Sequence, residues 1–444
     1  MRKMIIKKNN KIIYASKSID IDKNDFSDVE IFEDENDDFR DVDFSNADLR
    51  GINLNYLNLT GSNFNGADLT NANLSEAMLS CTYFNGANLT GADLNSAILD
   101  CSTLKEANLS NANLKYASLI EVDFSKAKLK EANLEHAVLV SSELSNANLT
   151  GANLTGANLI EAILLNADLS SSNLDCANLV STDLTNSKLN NSNLCCTNLT
   201  NANLTKTNLK NSSFVNACLV GANLTDADLS NAELCSANIN SSLLKSSNLN
   251  KAKLSGANLF NSTMELCDFT DSDLSYANMI NAKIYNCFFT RTDLKNSNLH
   301  CAILKDSIFL ESNLTCTDLS RVDASESVIT DSILGFANLT GANLTTTILT
   351  NSFLINSNLS HANLKDSLLS DVNLGFSQLV QTNLTSADLT NADLSGCILV
   401  ETNFTDSNLT KANLKNSIIK KTKFKNANLT GAKLDSIKKF WLFG

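Results

Sequence analysis

The stretch GANLTGANLIEAILLNADLSSSNLDCANL, from Gly151 to Leu179, decides the fold. Within it a leucine recurs at every fifth residue, at Leu154, Leu159, Leu164, Leu169, Leu174 and Leu179. An α-helix repeats its apolar residues about every 3.6 positions and a half-buried strand about every 2. A period of five fits neither element, so the chain must turn a corner in every unit.

The same register extends from Phe39 to Leu434 without a slip. Of its 80 central positions, 62 are Leu, 11 Phe, 4 Ile, 2 Met and one Ala. Two residues earlier the chain usually has Ala, Ser, Thr, Cys or Val, and directly before the centre it has Asn or Asp in 50 units. The unit is A-[N/D]-L-[S/T]-x, and we expect the centre and the small residue to point inward.

This pattern resembles the pentapeptide-repeat family over residues 39–434. The resemblance implies an all-β fold, a right-handed quadrilateral parallel β-helix with four pentapeptides per coil and about 20 coils. Residues 20 apart should then stack, and the central phenylalanines support this spacing. They recur 20 apart at Phe44, Phe64 and Phe84, at Phe269, Phe289 and Phe309, and at Phe404 and Phe424.

The two ends depart from the repeat. Residues 1–38 contain MIIKKNNKIIYA, which predicts a short hairpin, and then an acidic stretch; we interpret them as an N-terminal cap. Residues 435–444 are expected either to fold over the last coil or to form a homodimer contact. The second alternative rests on a resemblance to fluoroquinolone-resistance members of the family, which dimerise through their C-terminal ends. The candidate dimerisation residues are Phe440, Trp441, Leu442 and Phe443.

Composition favours a cytoplasmic, bacterial protein without a membrane segment. The start is basic but its apolar run is short, and no run approaches the length of a membrane helix. The chain has no Pro and only 6% aromatic residues, and its richness in Asn, Lys, Ser and Ile suggests an AT-rich genome. Its net charge of −13 is modest for 444 residues.

No catalytic, cofactor or metal site is expected. The three histidines, His136, His300 and His361, fall many coils apart, so no two can share a metal or a triad. The glycines of the GAN and GAD triplets belong to the repeating pentapeptide and do not form a P-loop or a Rossmann motif. Three cysteine pairs are 20 apart, Cys81/Cys101, Cys176/Cys196 and Cys267/Cys287. We interpret all of them as thiols, and two stacked thiols do not make a zinc site.

Three sets of outward apolar residues are candidate protein-interaction surfaces. The first set occupies the position directly before the centre in five consecutive coils. The second set occupies the position directly after the centre, on the opposite side of the coil. The third is a corner column of aromatic residues. The members are Phe288, Ile308, Val328, Ile348 and Leu368; Ile120, Val140, Ile160 and Val180; and Tyr56, Tyr116, Tyr276, Phe336 and Phe376. Strand propensity or repeat duplication could also produce such columns, and self-association is a third interpretation.

Two functions of different classes remain. The first is a rigid, non-catalytic scaffold that presents side-chain columns to a protein partner of unknown identity. The second, carried by the family resemblance, is a DNA-mimicking inhibitor or protector of a type II topoisomerase such as DNA gyrase. Duplex DNA carries one charge per about 1.7 Å, so residues 51–444, with a net charge of −9, match it poorly. Direct nucleic-acid binding by the lysine-rich end at Lys411–Lys433 is disfavoured, because aromatic residues do not interleave there on the surface.

Overall fold

The computed structural model describes the residues 4–8, 11–15, 30–31, 39–435 and 438–439. They divide into two compact units, unit 1 (Met1–Asn223) and unit 2 (Leu224–Gly444). The elements are all strands: β1 (Met4–Lys8), β2 (Lys11–Ala15), β3 (Glu30–Ile31), β4 (Leu243–Lys245), β5 (Thr263–Glu265), β6 (Lys283–Tyr285), β7 (Ile308–Leu310), β8 (Val328–Thr330), β9 (Ile398–Val400), β10 (Ile418–Lys420) and β11 (Lys438–Lys439). In this described part there is no helix long and apolar enough to cross a membrane.

Unit 1 begins with a small sheet and continues as a parallel solenoid. β1 pairs antiparallel with β2 and with β3, with Lys8 opposite Lys11. From Asp43 onward, single-residue bridges join each outward residue to the one 20 positions later, as in Asp43 with Asn63 and Asn63 with Tyr83. The predicted 20-residue period is therefore confirmed in unit 1.

Unit 2 repeats this pairing and adds short ladders of three-residue strands. β4, β5 and β6 form one parallel sheet, β7 and β8 a second, and β9, β10 and β11 a third. In the last sheet Ile418 pairs with Lys438 and Ile419 with Lys439. This part of the C-terminal tail therefore continues the ladder over the preceding coil.

The expected count of about 20 coils in one solenoid was wrong. The described repeats fall into two units, and the 20-residue period gives about nine turns to the repeats of unit 1. Counting pentapeptides gives the number of repeats but not their division into compact units.

The core of each unit consists of the two inward positions of the pentapeptide. Central Leu and Phe side chains from Phe39 to Leu414 are buried, and the small residues two positions earlier fill the space beside them. Most buried hydroxyls at the small position bond to backbone, as when Thr182 Oγ1 donates to the Leu159 carbonyl (2.9 Å). The phenyl stacking predicted from sequence is confirmed. Neighbouring ring centroids lie 4.9 and 4.8 Å apart in the Phe44–Phe64–Phe84 stack and 4.8 and 4.5 Å apart in the Phe269–Phe289–Phe309 stack.

The typical corner is a four-residue turn closed by a backbone hydrogen bond, such as Ala152 N–H to the Leu149 carbonyl (2.9 Å). Its third residue has a left-handed φ, for example +69° at Gly151 and +58° at Asn111. A positive φ at this place is typical of type II turns and suits Gly and Asn. The recurrence of Asn and Gly two positions after the centre therefore follows from backbone geometry.

The three-residue strands occur where the outward residue is neither Asn nor Asp. In β7, for example, Ile308 holds the position that Asn or Asp occupies in most units, and Leu310 pairs with Thr330 of β8. Elsewhere the Asn or Asp side chain accepts the N–H two residues later, as when Thr155 N–H donates to Asn153 Oδ1 (3.2 Å). Such a side chain satisfies the backbone locally. Without it, pairing with the next coil can extend beyond one residue.

Candidate interaction surface

The most regular apolar feature on the surface of unit 2 is the apolar column, defined here as Phe288, Ile308, Val328, Ile348 and Leu368. Backbone bridges join each member to the next, so the side chains stack in one line. Phe288 and Leu368 are 45% exposed, and the three β-branched members are half-buried by their neighbours. On a strand spacing of about 4.8 Å, four steps span about 19 Å.

The backbone of the apolar column is held rigidly. Phe288 N–H donates to the Cys267 carbonyl (2.9 Å) and Ile348 N–H to the Ser327 carbonyl (3.0 Å). Behind the column, the Phe289 and Phe309 rings of the buried stack fill the interior. Because successive side chains of a strand alternate between faces, a residue next to a buried centre must point outward. The fold therefore presents these five side chains but does not bury them.

Acidic residues surround the apolar column. Its line continues into Asp268 at one end and Asp388 at the other. The two corners beside it carry six exposed carboxylates: Asp306, Glu326 and Asp366 on one side, and Glu311, Asp331 and Asp371 on the other.

Three cations lie in or beside the same corners, and all three are paired. Arg291 binds the Asp271 carboxylate through two hydrogen bonds (2.6 and 3.0 Å). Lys305 lies 3.3 Å from Asp323, and Lys365 lies 3.5 Å from Asp366. The hydrogen bond from Arg291 holds the pKa of Asp271 below its usual value. The apolar column thus has acidic borders on all sides.

Further exposed apolar side chains lie around the next corner of the same unit. Ile333 and Phe353 stack on the neighbouring face, where they are 50% and 49% exposed. Beyond that face the corner residues Phe336 and Phe376 are 63% and 66% exposed. Phe376 lies against Gly396 of the following coil, where an added Cβ would come within 2.6 Å of its ring. The absence of a side chain at Gly396 therefore leaves room for the Phe376 ring.

The structure distributes the other candidate residues over the two units. Ile120, Val140, Ile160 and Val180 lie in unit 1 and are half-buried. Tyr56 and Tyr116 are exposed corner residues of unit 1, and Tyr276 is an exposed corner residue of unit 2. Tyr116 stacks on His136 of the next coil, with ring centroids 5.5 Å apart. Phe440, Trp441, Leu442 and Phe443 lie outside the described residues.

Two features of the surface were missed by sequence reasoning. Each corner carboxylate lies two residues before or three residues after a member of the apolar column, an arrangement that becomes meaningful only when the corners are placed. The second feature is a group of two thiols and one carboxylate, Asp175, Cys176 and Cys196. The 20-residue spacing had signalled the cysteines, but not the carboxylate.

Family models match almost all of the repeat region. The model described as pentapeptide repeats matches in segments between residues 117 and 435, and the model described as pentapeptide repeat region matches residues 37–114. The chain belongs to the pentapeptide-repeat family. The resemblance inferred from the five-residue register is thereby confirmed. A comparison of this pentapeptide-repeat protein with curated proteins gave no match.

Solved structures of the same family are similar to this protein. HetL, a pentapeptide repeat protein involved in heterocyst differentiation regulation from the cyanobacterium Nostoc sp., is 32% identical over 54% of this chain and 90% of its own, with a TM-score of 0.22. QnrB1, a plasmid-mediated fluoroquinolone resistance protein, is 26% identical over 44% of this chain and 89% of its own, with a TM-score of 0.25. Rfr23 from the cyanobacterium Cyanothece is 30% identical over 26% of this chain and 86% of its own, with a TM-score of 0.20.

Proposed function

We propose that this pentapeptide-repeat protein is a non-catalytic interaction scaffold, and that unit 2 binds a protein partner through the apolar column. The observation that carries the proposal is a line of five apolar side chains with carboxylates on every border. Apolar surface rimmed by polar groups is typical of interaction sites on soluble proteins.

The rigidity of the column favours binding. Every member is anchored by a ladder hydrogen bond, so little backbone freedom is lost when a partner docks. The interaction energy of such a site is expected to come from the large side chains at its ends, Phe288 and Leu368, and from the β-branched residues between them.

The acidic borders indicate the chemistry of the partner. A segment with a row of apolar side chains and Lys or Arg on both sides would match both features of the surface. The charges would speed association and fix its direction, whereas the apolar contacts would supply most of the affinity. Binding should therefore weaken, but not vanish, as the salt concentration rises.

The test is an affinity capture from host lysate with two matched variants of the full chain. The column variant carries Phe288→Ser, Ile308→Asn, Val328→Asn, Ile348→Asn and Leu368→Asn. The control variant changes the polar column on another face of the same coils: Asn278→Ser, Asn298→Ser, Asp318→Asn, Asn338→Ser and Asn358→Ser. Circular dichroism and size-exclusion chromatography with light scattering establish that both variants are folded.

We expect a protein that is captured by the wild type and the control variant but lost with the column variant. If light scattering shows a dimer that only the column variant loses, the partner is a second copy of this chain. Capture that is unchanged in the column variant would contradict the proposal. Recovery of a type II topoisomerase under that outcome would instead support the DNA-mimic function.

A further inference from the structure

A corner of unit 1 brings two thiols into register. Cys176 and Cys196 occupy the left-handed position of the same corner in successive coils, each with φ of +55°. Cys176 N–H donates to the carbonyl of Cys195 (2.9 Å), so adjacent turns of the backbone hold the two corners together. Both thiols are exposed, which leaves them open to a ligand from solvent.

A carboxylate completes the group. The ligand atoms of Asp175, Cys176 and Cys196 all lie within 4.8 Å of one another. No other group of three potential metal ligands this close together occurs in the described part of the chain. Cys81 and Cys101 are also exposed and 20 residues apart, but they belong to no such group.

The backbone beside the group is fixed by the amide ladder of the adjoining face. Asp175 N–H donates to Asn173 Oδ1 (3.3 Å), and Cys195 N–H donates to Asn193 Oδ1 (3.1 Å). Asn193 Nδ2 in turn donates to Asn173 Oδ1 (2.9 Å). The residues preceding both cysteines are thus tied to each other, and only the side-chain rotamers of the three ligands remain to be set.

We propose that Asp175, Cys176 and Cys196 bind a thiophilic divalent metal ion of the Zn²⁺ and Cd²⁺ class. Thiolates select soft or borderline ions over Mg²⁺ and Ca²⁺. With metal–sulfur bonds of about 2.3 Å, a tetrahedral site needs its sulfurs about 3.8 Å apart, which exposed side chains reach by small rotations. Water fills the fourth position, and each thiol releases its proton as its metal–sulfur bond forms.

This site was not expected from sequence, because two thiols alone are too few. The third ligand comes from the outward side of the corner, directly before Cys176. Its approach to Cys196 depends on how two successive turns stack. The ring of His136 lies over Gly156, one coil before Cys176, and is not a member of the group.

The test is a titration of the reduced full chain with Cd²⁺, followed by the ultraviolet absorption of thiolate-to-metal charge transfer. The wild type should bind one Cd²⁺ with the intensity of two thiolates, and Zn²⁺ should displace it. The double variant Cys176→Ser/Cys196→Ser should lose this absorption. The matched control Cys81→Ser/Cys101→Ser, which removes the other exposed stacked pair, should keep it.

The carboxylate has its own test. Asp175→Asn should weaken Cd²⁺ binding by at least about tenfold while the two-thiolate intensity at saturation stays unchanged. The proposal is overturned if the two-thiolate absorption survives in the Cys176→Ser/Cys196→Ser variant, if it is lost equally in the control, or if the wild type shows no saturable absorption. Circular dichroism of every variant separates loss of the site from loss of the fold.

Discussion

Two outward columns, one in each unit, hold the same position of the pentapeptide and differ in chemistry. In unit 1 the column runs through Asn113, Asn133, Asn153, Asn173 and Asn193. Its amides bond from coil to coil, for example Asn153 Nδ2 to Asn133 Oδ1 (3.1 Å). In unit 2 the apolar column has the same backbone ladder without any side-chain amide. The ladder therefore tolerates either kind of side chain.

The comparison shows which part of the surface can vary for function without changing the fold. An outward Asn stabilises its own corner and the neighbouring coil, so it is the residue expected where only stability matters. Five successive apolar residues forgo those hydrogen bonds and expose hydrocarbon to water. Their presence in unit 2 is consistent with the proposed partner surface, and substitutions at matched positions can test the comparison.

The largest effect is expected when a charged side chain is placed at an inward position and compared with the same change at the adjacent outward position. Leu204 is fully buried, so Leu204→Lys should lower the free energy of unfolding of unit 1 by more than about 3 kcal/mol, because the ammonium has no partner in the core. The adjacent Asn203→Lys should cost about 1 kcal/mol, since only the half-buried side-chain bonds to Thr205, Asp183 and Thr185 are lost. Urea unfolding followed by circular dichroism measures both. Equal losses would contradict the assignment of inward and outward positions.

An intermediate effect is expected when the two columns exchange one residue. Asn153→Val removes the acceptor of the Thr155 N–H and the amide bond to Asn133, at a cost of about 1 kcal/mol. Val328→Asn supplies an acceptor to the Thr330 N–H and should change stability by less than about 0.5 kcal/mol.

Hydrogen exchange of the same variants reads out the local structure. The strand at Val328–Thr330 should shorten to a single bridge in Val328→Asn, with faster exchange at residues that paired with it in β7. If β8 persists unchanged, the outward residue does not control strand length.

The smallest effect concerns acid stability and uses equivalent carboxylates in the two units. Asp123 and Asp323 each accept hydrogen bonds from the serine two residues later and an ion pair from a lysine 18 residues earlier. Burial alone would raise the pKa of each carboxyl, but these bonds outweigh it and lower the pKa.

Because the folded pKa lies below the unfolded value of about 3.9, each carboxylate stabilises its unit above that value, and the contribution is lost as pH falls through the folded pKa. Asp123→Asn and Asp323→Asn should each reduce stability at pH 7 by less than about 1 kcal/mol and flatten its acid dependence. Thermal melts from pH 2 to 7 test this. An effect in only one unit would show that the two sites are not equivalent.

The sequence was sufficient for the parts of the fold that depend on periodicity. A five-residue register defines which side chains are buried. Phe64 and Phe289 each have another central phenylalanine 20 residues away, and this recurrence defines the coil. Two backbone features were harder to predict, because they depend on hydrogen bonds. The left-handed corners belong to turns closed by backbone bonds, and β7 and β8 lengthen where no outward Asn or Asp accepts the N–H two residues later.

The candidate sites were predicted less completely than the fold. The members of the apolar column follow from residue numbers, since stacking at a spacing of 20 needs no further geometry. Its acidic borders and the approach of Asp175 to Cys196 do not, because they require the position of corner side chains in successive turns. The approach of Asp175 to Cys196 joins residues of different pentapeptides that are 21 positions apart, a spacing that stacking at multiples of 20 does not reveal.

Because a corner occurs at every fifth residue, each added pentapeptide turns the chain by one fixed angle. Four corners complete one turn, so inserting a single pentapeptide after Ile308 would move Val328, Ile348 and Leu368 onto the neighbouring face and split the apolar column. Inserting four pentapeptides would leave every column of the unit aligned and only lengthen it. Gene rearrangements in whole units could thus rotate or extend a binding face while each new repeat supplies its own share of the core.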